Sequence, residues 1–131
     1  MKYIKKFESI AKNTDEIDYS NKGLTSLPEL PDGLKKLKCS GNKLTSLPEL
    51  PDTLNFLICV RNKLSSLPDL PDTLEYLNCN NNQLTSLPEL PDTLEVLYCN
   101  NNQLPYKNLE EYREWFANTY PEIIASKKFN I

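Results

Sequence analysis

The sequence predicts an α/β solenoid of stacked coils, in which each coil contributes one short strand to a parallel sheet. Two observations predict this fold class. A block of 20 residues repeats along most of the chain. Its first leucine stands at Leu34, Leu54, Leu74 and Leu94. Each complete block also carries two prolines in its second half, as at Pro88 and Pro91. A fixed period of this length is typical of supersecondary units that stack on one another.

The repeating motif identifies the kind of solenoid. Each block reads L-x-x-L-x-C-x-x-N-x-L, with these positions at Leu74, Leu77, Cys79, Asn82 and Leu84 in one copy. This is the leucine-rich-repeat signature with cysteine at its third apolar position. The fold class predicted is therefore a leucine-rich-repeat horseshoe with helical caps at both ends.

The strand of each coil is predicted where inward and outward residues alternate. Leu77 and Cys79 flank Asn78. Because successive side chains of a strand point to opposite faces, Leu77 and Cys79 point to one side and Asn78 to the other. The second half of the block contains Pro88 and Pro91, each of which lacks an N–H and restricts φ. That limb is therefore expected to be extended, not helical. Short parallel strands should line the concave face, and the proline-containing limbs should form the convex face.

Leucines from both limbs are predicted to fill the space between them. In one block they are Leu74, Leu77, Leu84, Leu87 and Leu90. No single coil can bury these side chains alone, so neighbouring coils must stack with their strands about 4.8 Å apart. A column of asparagines is expected at the bend after each strand, where the side-chain amides satisfy buried backbone groups. The column consists of Asn42, Asn62, Asn82 and Asn102.

The four cysteines share the 20-residue period and are predicted to form one inward-facing column. They are Cys39, Cys59, Cys79 and Cys99. Core packing as small apolar residues is the favoured interpretation. Disulfides are the first alternative, although parallel Cβ vectors disfavour them. A zinc site is the second, although four thiolates on a line cannot surround one ion tetrahedrally. Free buried thiols also favour a reducing compartment.

The chain is predicted to be a single domain of 131 residues with three parts. Residues 1–16 form an N-terminal cap, residues 17–104 the repeats and residues 105–131 a C-terminal helical cap. An open solenoid exposes its first and last apolar layers, so both ends need covering.

Both caps have helical patterns. Ile4, Phe7 and Ile10 are spaced as on one face of an amphipathic helix. Asn108 is a suitable N-cap for a second helix, which Pro121 should end.

Composition excludes several functions. The formal net charge is −3 and histidine is absent, so general nucleic-acid binding is not expected. No segment is apolar enough to span a membrane or to serve as a standard secretory signal. Without histidine, a glycine-rich phosphate loop or accessible cysteines, the sequence predicts no enzyme, cofactor or metal. A cytoplasmic monomer is the expectation.

The convex limbs repeat two carboxylates each. These are Glu29 and Asp32, Glu49 and Asp52, Asp69 and Asp72, and Glu89 and Asp92. A solvated face that aids solubility is the favoured interpretation. A weak cation site or a basic partner is the alternative.

The candidate functional residues differ from coil to coil, whereas the inward positions repeat almost unchanged. We call this set the concave patch. It consists of Lys36, Lys38, Phe56, Ile58, Val60, Arg61, Tyr76, Asn78, Val96 and Tyr98. Clustered apolar and aromatic residues on an exposed face are typical of a contact site, and aromatics and arginine are enriched at interface centres. The alternative is that cross-strand aromatic pairs only stabilise the sheet.

The repeats resemble those of bacterial type III secreted effectors of the invasion-plasmid-antigen H and outer-protein M kind. The pattern L-x-x-L-P-x-L-P-x-x-L-x-x-L-x-x-x-x-N-x is matched by residues 24–43, 44–63, 64–83 and 84–103. The resemblance implies a curved solenoid that recognises proteins through its concave side, often inside a host cell. Similar repeats also occur in large DNA viruses of amoebae and in protists.

The resemblance does not extend to catalysis. Some of these effectors carry a C-terminal ubiquitin-ligase domain with a catalytic cysteine, whereas residues 105–131 contain no cysteine. The sequence therefore predicts a non-catalytic module that binds a protein loop, peptide or helix. Two alternatives are the substrate-recruiting fragment of a larger ligase-like effector and a repeat scaffold without a specific partner.

Overall fold

The computed structural model describes residues 15–129, with side chains described as far as residue 126. The helix predicted around Ile4, Phe7 and Ile10 lies outside the described residues. Within these residues, five strands are followed by two helices. The strands are Glu16–Asp18 (β1), Lys36–Lys38 (β2), Phe56–Ile58 (β3), Tyr76–Asn78 (β4) and Val96–Tyr98 (β5). The helices are Leu109–Thr119 (α1) and Pro121–Phe129 (α2).

The strands form one parallel sheet in chain order, which confirms the predicted solenoid. Paired residues are separated by one repeat length in the sequence, because Leu37 pairs with Leu57 and Leu57 with Leu77. Every position of the motif therefore lies beside its own copy in the next coil. No helix in the part of the chain that the structure describes is long and apolar enough to cross a membrane.

In the described residues, the core is a single cluster between the two limbs, made of leucines and cysteines together with Ile17 and Tyr106. Leu74, Leu77 and Leu84 are fully buried, as predicted. Leu87 and Leu90 are only partly buried, although they pack against the same cluster. Leu90 lies in a cleft that is also lined by Leu109 and Phe116 of the C-terminal cap.

The asparagine column joins each coil to the one before it. The Asn62 Nδ2 donates to the carbonyl of Cys39 in the preceding coil at 3.0 Å and to that of Cys59 in its own coil at 3.3 Å. The Asn62 Oδ1 accepts the backbone N–H of Leu44 at 3.1 Å. Asn82 and Asn102 repeat these contacts one and two coils further on. The predicted structural role of the column is thereby confirmed.

The cysteine column is buried and all four thiols are free, so the core-packing interpretation is confirmed. The Cys39 thiol lies 3.6 Å from the carbonyl oxygen of Ile58, and the Cys79 thiol 3.5 Å from that of Tyr98. The weak S–H donor therefore has an acceptor in the next coil. Burial raises the pKa of the Cys39 and Cys79 thiols from 9.0 to about 12.

The first residues of the C-terminal cap pair with the last strand of the sheet, and the chain then continues as a helix. Cys99 donates its N–H to the carbonyl of Lys107 at 3.0 Å, and Tyr98 forms an antiparallel bridge with Asn108. The Asn108 side chain then accepts the N–H of Glu111 at 2.9 Å, which confirms it as the N-cap of α1. This segment occupies the place of a sixth strand, so the backbone groups at the end of β5 are paired.

An aromatic cluster holds the cap on the last coil. Tyr106 is buried, and its ring centroid lies 5.0 Å from that of Tyr112 and 5.1 Å from that of Trp115. The sequence prediction missed α2, which begins at Pro121 directly after α1 ends. Proline stops the first helix but is well tolerated in the first turn of the next one.

We expect Asn62→Ala to lower the free energy of unfolding by about 3 kcal/mol, because several backbone groups lose their partner at a cost of about 1–3 kcal/mol each. Urea unfolding followed by circular dichroism measures the change. Lys63→Ala, at an exposed neighbour, should alter stability by less than about 0.5 kcal/mol. A similar small change for both variants would contradict the role of the column.

Stability should fall at alkaline pH because the thiols have a higher pKa in the folded chain than in the unfolded one. Their contribution is fully present below pH 9.0 and is lost as the pH rises towards about 12. The urea midpoint should therefore decrease over this range. Cys79→Ala should be less stable at every pH but should show a shallower decrease. Equal slopes for the two proteins would show that thiol burial does not govern alkaline stability.

Candidate protein-binding face

The three-residue strands expose two columns of side chains on the concave face. The middle residue of each strand is buried, and the residues on either side of it point away from the core. The first column is Glu16, Lys36, Phe56, Tyr76 and Val96. The second column is Asp18, Lys38, Ile58, Asn78 and Tyr98. The parallel register therefore brings the predicted strand residues of the concave patch onto one surface.

The aromatic residues of the concave patch contact one another. The Phe56 and Tyr76 rings are stacked, with centroids 4.4 Å apart and planes 14° apart. Tyr76 and Tyr98 meet edge to face at 6.1 Å. Stacking leaves Phe56 and Tyr76 partly buried, whereas Tyr98 remains 44% exposed. The stacked pair therefore stabilises the sheet as well as exposing apolar surface.

The lysines of the concave patch have different surroundings. Lys38 forms an ion pair with Glu16 at 3.3 Å. Lys36 instead places its Nζ 5.7 Å from the centroid of the Phe56 ring, within the range of a cation–π contact. Sequence reasoning missed the Glu16 partner, although the register of β1 and β2 places Glu16 opposite Lys36 and diagonally across from Lys38 on the same face.

Polar residues at the strand ends and just beyond them bind backbone groups. The Ser40 Oγ accepts the N–H of Val60 at 3.0 Å. The Asn78 Oδ1 accepts the N–H of Asn80 at 3.2 Å. Asn80 in turn accepts the N–H of Asn100 through its own side chain at 2.6 Å. Asn78 thus has a structural contact besides its place in the concave patch.

Arg61 occupies a backbone position that favours other residues. Its φ is +58°, in the left-handed region. The equivalent positions in the other coils hold Asn21, Gly41, Asn81 and Asn101, all with positive φ. Glycine and asparagine tolerate this conformation, whereas other residues pay about 1–2 kcal/mol. The glycine and asparagines of this column therefore reflect a backbone requirement, and Arg61 is the exception to it.

The convex face contains clefts between successive limbs. One of about 380 Å³ is lined by prolines, leucines and the carboxylates of Asp69, Asp72, Glu89 and Asp92. A second of about 360 Å³ has the equivalent lining from residues 29 to 52. Among the described residues, no three potential metal ligands lie close enough together to hold an ion.

Comparison with known proteins agrees with this geometry. A family model described as leucine-rich repeats (2 copies) matches residues 72–114. The chain therefore has the leucine-rich-repeat fold. It is similar to two solved bacterial structures at 44% sequence identity and a TM-score of 0.70 each. One is a Shigella effector leucine-rich-repeat domain, and the other is YopM from Yersinia enterocolitica WA-314.

A third solved structure, the leucine-rich effector protein YopM from Yersinia pestis, is 36% identical with a TM-score of 0.61. The matches cover 73%, 76% and 75% of this chain, respectively. The chain spans only 44%, 22% and 34% of the lengths of those structures. The comparison with curated proteins finds no match. The predicted resemblance to bacterial leucine-rich effectors is confirmed.

We expect Arg61→Asn to raise the free energy of unfolding by about 1 kcal/mol, because asparagine adopts positive φ more readily than arginine. Arg61→Ala removes the same side chain but keeps the unfavourable conformation, so it should give no such gain. Urea unfolding of the two variants measures the difference. If alanine stabilised the chain as much as asparagine did, the effect would come from the arginine side chain and not from the backbone.

Proposed function

We propose that this chain is a non-catalytic module that binds a protein loop, a peptide or a short helix through the concave patch. The observation that carries the proposal is the continuous aromatic surface of Phe56, Tyr76 and Tyr98. Core packing does not require these side chains, since the buried leucines and cysteines fill the interior without them. Exposed aromatic residues that lie together are typical of interface centres.

The area of the sheet limits the partner. Five strands about 4.8 Å apart, each exposing residues over a length of about 10–13 Å, give a face of roughly 300 Å². A standard protein interface buries about 800 Å² on each side. The face therefore fits a short segment of a partner, and a larger partner must also contact the edges of the solenoid.

The similarity to bacterial effectors supports a finer form of the proposal, in which the module acts inside a host cell. Recruiting substrates for a larger ligase-like effector is a second candidate, because the chain spans less than half of each matched structure. Both candidates use the same binding face.

The combined change Phe56→Ala and Tyr76→Ala should weaken partner binding at least tenfold, because buried aromatic anchors at interfaces contribute about 2 kcal/mol or more. The measurement is affinity capture from candidate host cytosol, followed by titration of the purified partner. The double variant also loses a stacked pair worth about 0.5–1.5 kcal/mol, so its folding must be checked.

Two single variants separate binding from folding. Tyr98→Ala removes a side chain that is 44% exposed and should weaken the same interaction. Tyr120→Ala removes a tyrosine that is 41% exposed on the cap and should leave binding unchanged. Equal binding by all variants would favour a scaffold without a specific partner at this face.

A further inference from the structure

The centre of the concave face is uncharged. β3, β4 and β5 place their first and last residues on this face. These residues are Phe56, Ile58, Tyr76, Asn78, Val96 and Tyr98, and none of them carries a charge. The alternation continues past the strands, because Cys79 is buried and the N–H of Asn81 still pairs with the next coil. Val60, Asn80 and Asn100 therefore extend the same face. An uncharged ligand matches this centre best.

The asparagines of this centre present hydrogen-bond donors. The backbone N–H groups of Asn80 and Asn100 can only donate, so the atoms that face them are the Oδ1 atoms of Asn78 and Asn80, at 3.2 and 2.6 Å. Each amide therefore has its Nδ2 turned the other way. Neither Nδ2 has an acceptor in the part of the chain that the structure describes, and the same holds for the hydroxyls of Tyr76 and Tyr98. All four groups remain accessible.

These free donors favour a ligand that has carbonyl oxygens but few N–H groups. An ordinary extended peptide has one donor and one acceptor per residue, so its N–H groups would meet amide oxygens that are already engaged. A helix bonds its own carbonyls internally and is about 10–12 Å across with its side chains, as wide as this face. A polyproline II helix has no internal hydrogen bonds, and its prolines lack the N–H. Its carbonyl oxygens therefore match the free donors.

The spacing of the aromatic rings matches one turn of polyproline II. Phe56 and Tyr98 belong to strands two spacings apart, or about 9.6 Å. One turn of three residues is about 9.3 Å long. Tyr76 lies between them, with its ring centroid 4.4 Å from that of Phe56 and 6.1 Å from that of Tyr98. Residues i and i+3 of a ligand that crosses the strands can therefore contact the two ends of the aromatic surface. Proline-rich segments dock on aromatic-lined surfaces in this way.

We propose that the centre of the concave patch binds an uncharged, proline-rich segment in the polyproline II conformation. The segment crosses from β3 to β5 with prolines at positions i and i+3, and its carbonyl oxygens accept hydrogen bonds from Tyr76, Asn78 and Tyr98. A second folded copy of this chain does not fit, because a face of roughly 300 Å² is far below the 800 Å² or so that each side of a standard interface buries. This inference rests on the proposed function and adds the conformation and chemistry of the partner.

Three neutral peptides of about nine residues test the conformation of the ligand. The proline probe contains overlapping Pro-x-x-Pro pairs. The spacing control has the same composition with its prolines grouped at the two ends, and the alanine control has alanine in place of every proline. Fluorescence anisotropy against the full chain measures each affinity. The proline probe should bind about tenfold more tightly than the alanine control and about threefold more tightly than the spacing control, because it is already in the bound conformation. Added salt should have little effect, since no charges are paired.

Two conservative variants test the hydrogen bonds. Tyr98→Phe keeps the ring and removes the hydroxyl. Asn78→Asp keeps the oxygen that accepts the N–H of Asn80 and removes the Nδ2 donor. Each variant should weaken binding of the proline probe about threefold to tenfold, as expected for one lost hydrogen bond. Two controls should leave the affinity unchanged. They are Tyr120→Phe on the cap and Gln103→Glu, which adds the same charge at an exposed position outside the strands.

Several results would overturn the polyproline II assignment. They are no binding of the proline probe, equal affinity for the three peptides, or a proline preference that neither Tyr98→Phe nor Asn78→Asp reduces. Tighter binding of a neutral glucose oligosaccharide than of the proline probe would also overturn it, because sugar oxygens accept the same hydrogen bonds. A proline preference that both variants reduce and both controls keep supports the inference.

The proline probe also separates this inference from the proposed function. If a captured protein loses affinity for Phe56→Ala with Tyr76→Ala but the proline probe does not compete with it, the concave patch binds proteins and only the ligand conformation is wrong. If the proline probe binds that double variant as tightly as the unmodified chain, the aromatic surface is not the binding centre, and this inference fails together with the proposed function.

Discussion

The structure depends on the fact that no coil can bury its own apolar side chains or pair its own backbone groups without a neighbouring coil. Each strand has only three residues, and each coil must share both its apolar surface and its backbone hydrogen bonds with a neighbour. Asn62 shows this dependence in one side chain, because it bonds to carbonyls of two coils at once. Since the register equals the repeat length, the same contact recurs along the stack, and the cap must supply it where the repeats stop.

This constraint decides which side chains are available for recognition. The inward leucines and cysteines and the asparagine column are committed to packing and hydrogen bonding, so their uniformity has a structural cause. The left-handed backbone position explains a further column of glycine and asparagine, and it makes Arg61 the residue whose presence packing does not explain. Unfavourable backbone conformations persist where the surrounding structure holds them, and they often coincide with functional sites.

The aromatic side chains of the concave patch both stabilise the sheet and expose apolar surface to solvent. Phe56 and Tyr76 stack on each other and so contribute to the sheet, while Tyr98 presents more of its surface to solvent. The similarity to Shigella and Yersinia leucine-rich effectors concerns the repeat architecture. In the proposed function, the choice of partner depends on the residues that differ between coils, because the shared scaffold cannot distinguish one ligand from another.

The sequence alone determined the solenoid, its period, the buried columns and the N-cap of the C-terminal helix. These features follow from local chemistry repeated at a fixed spacing, which periodicity reveals directly. Only the tertiary structure decided that Lys38 pairs with Glu16, that Phe56 and Tyr76 stack, that Arg61 has positive φ and that a second helix begins at Pro121. Those outcomes depend on side-chain contacts between coils and on backbone dihedral angles. The spacing of residue types along the sequence predicts neither.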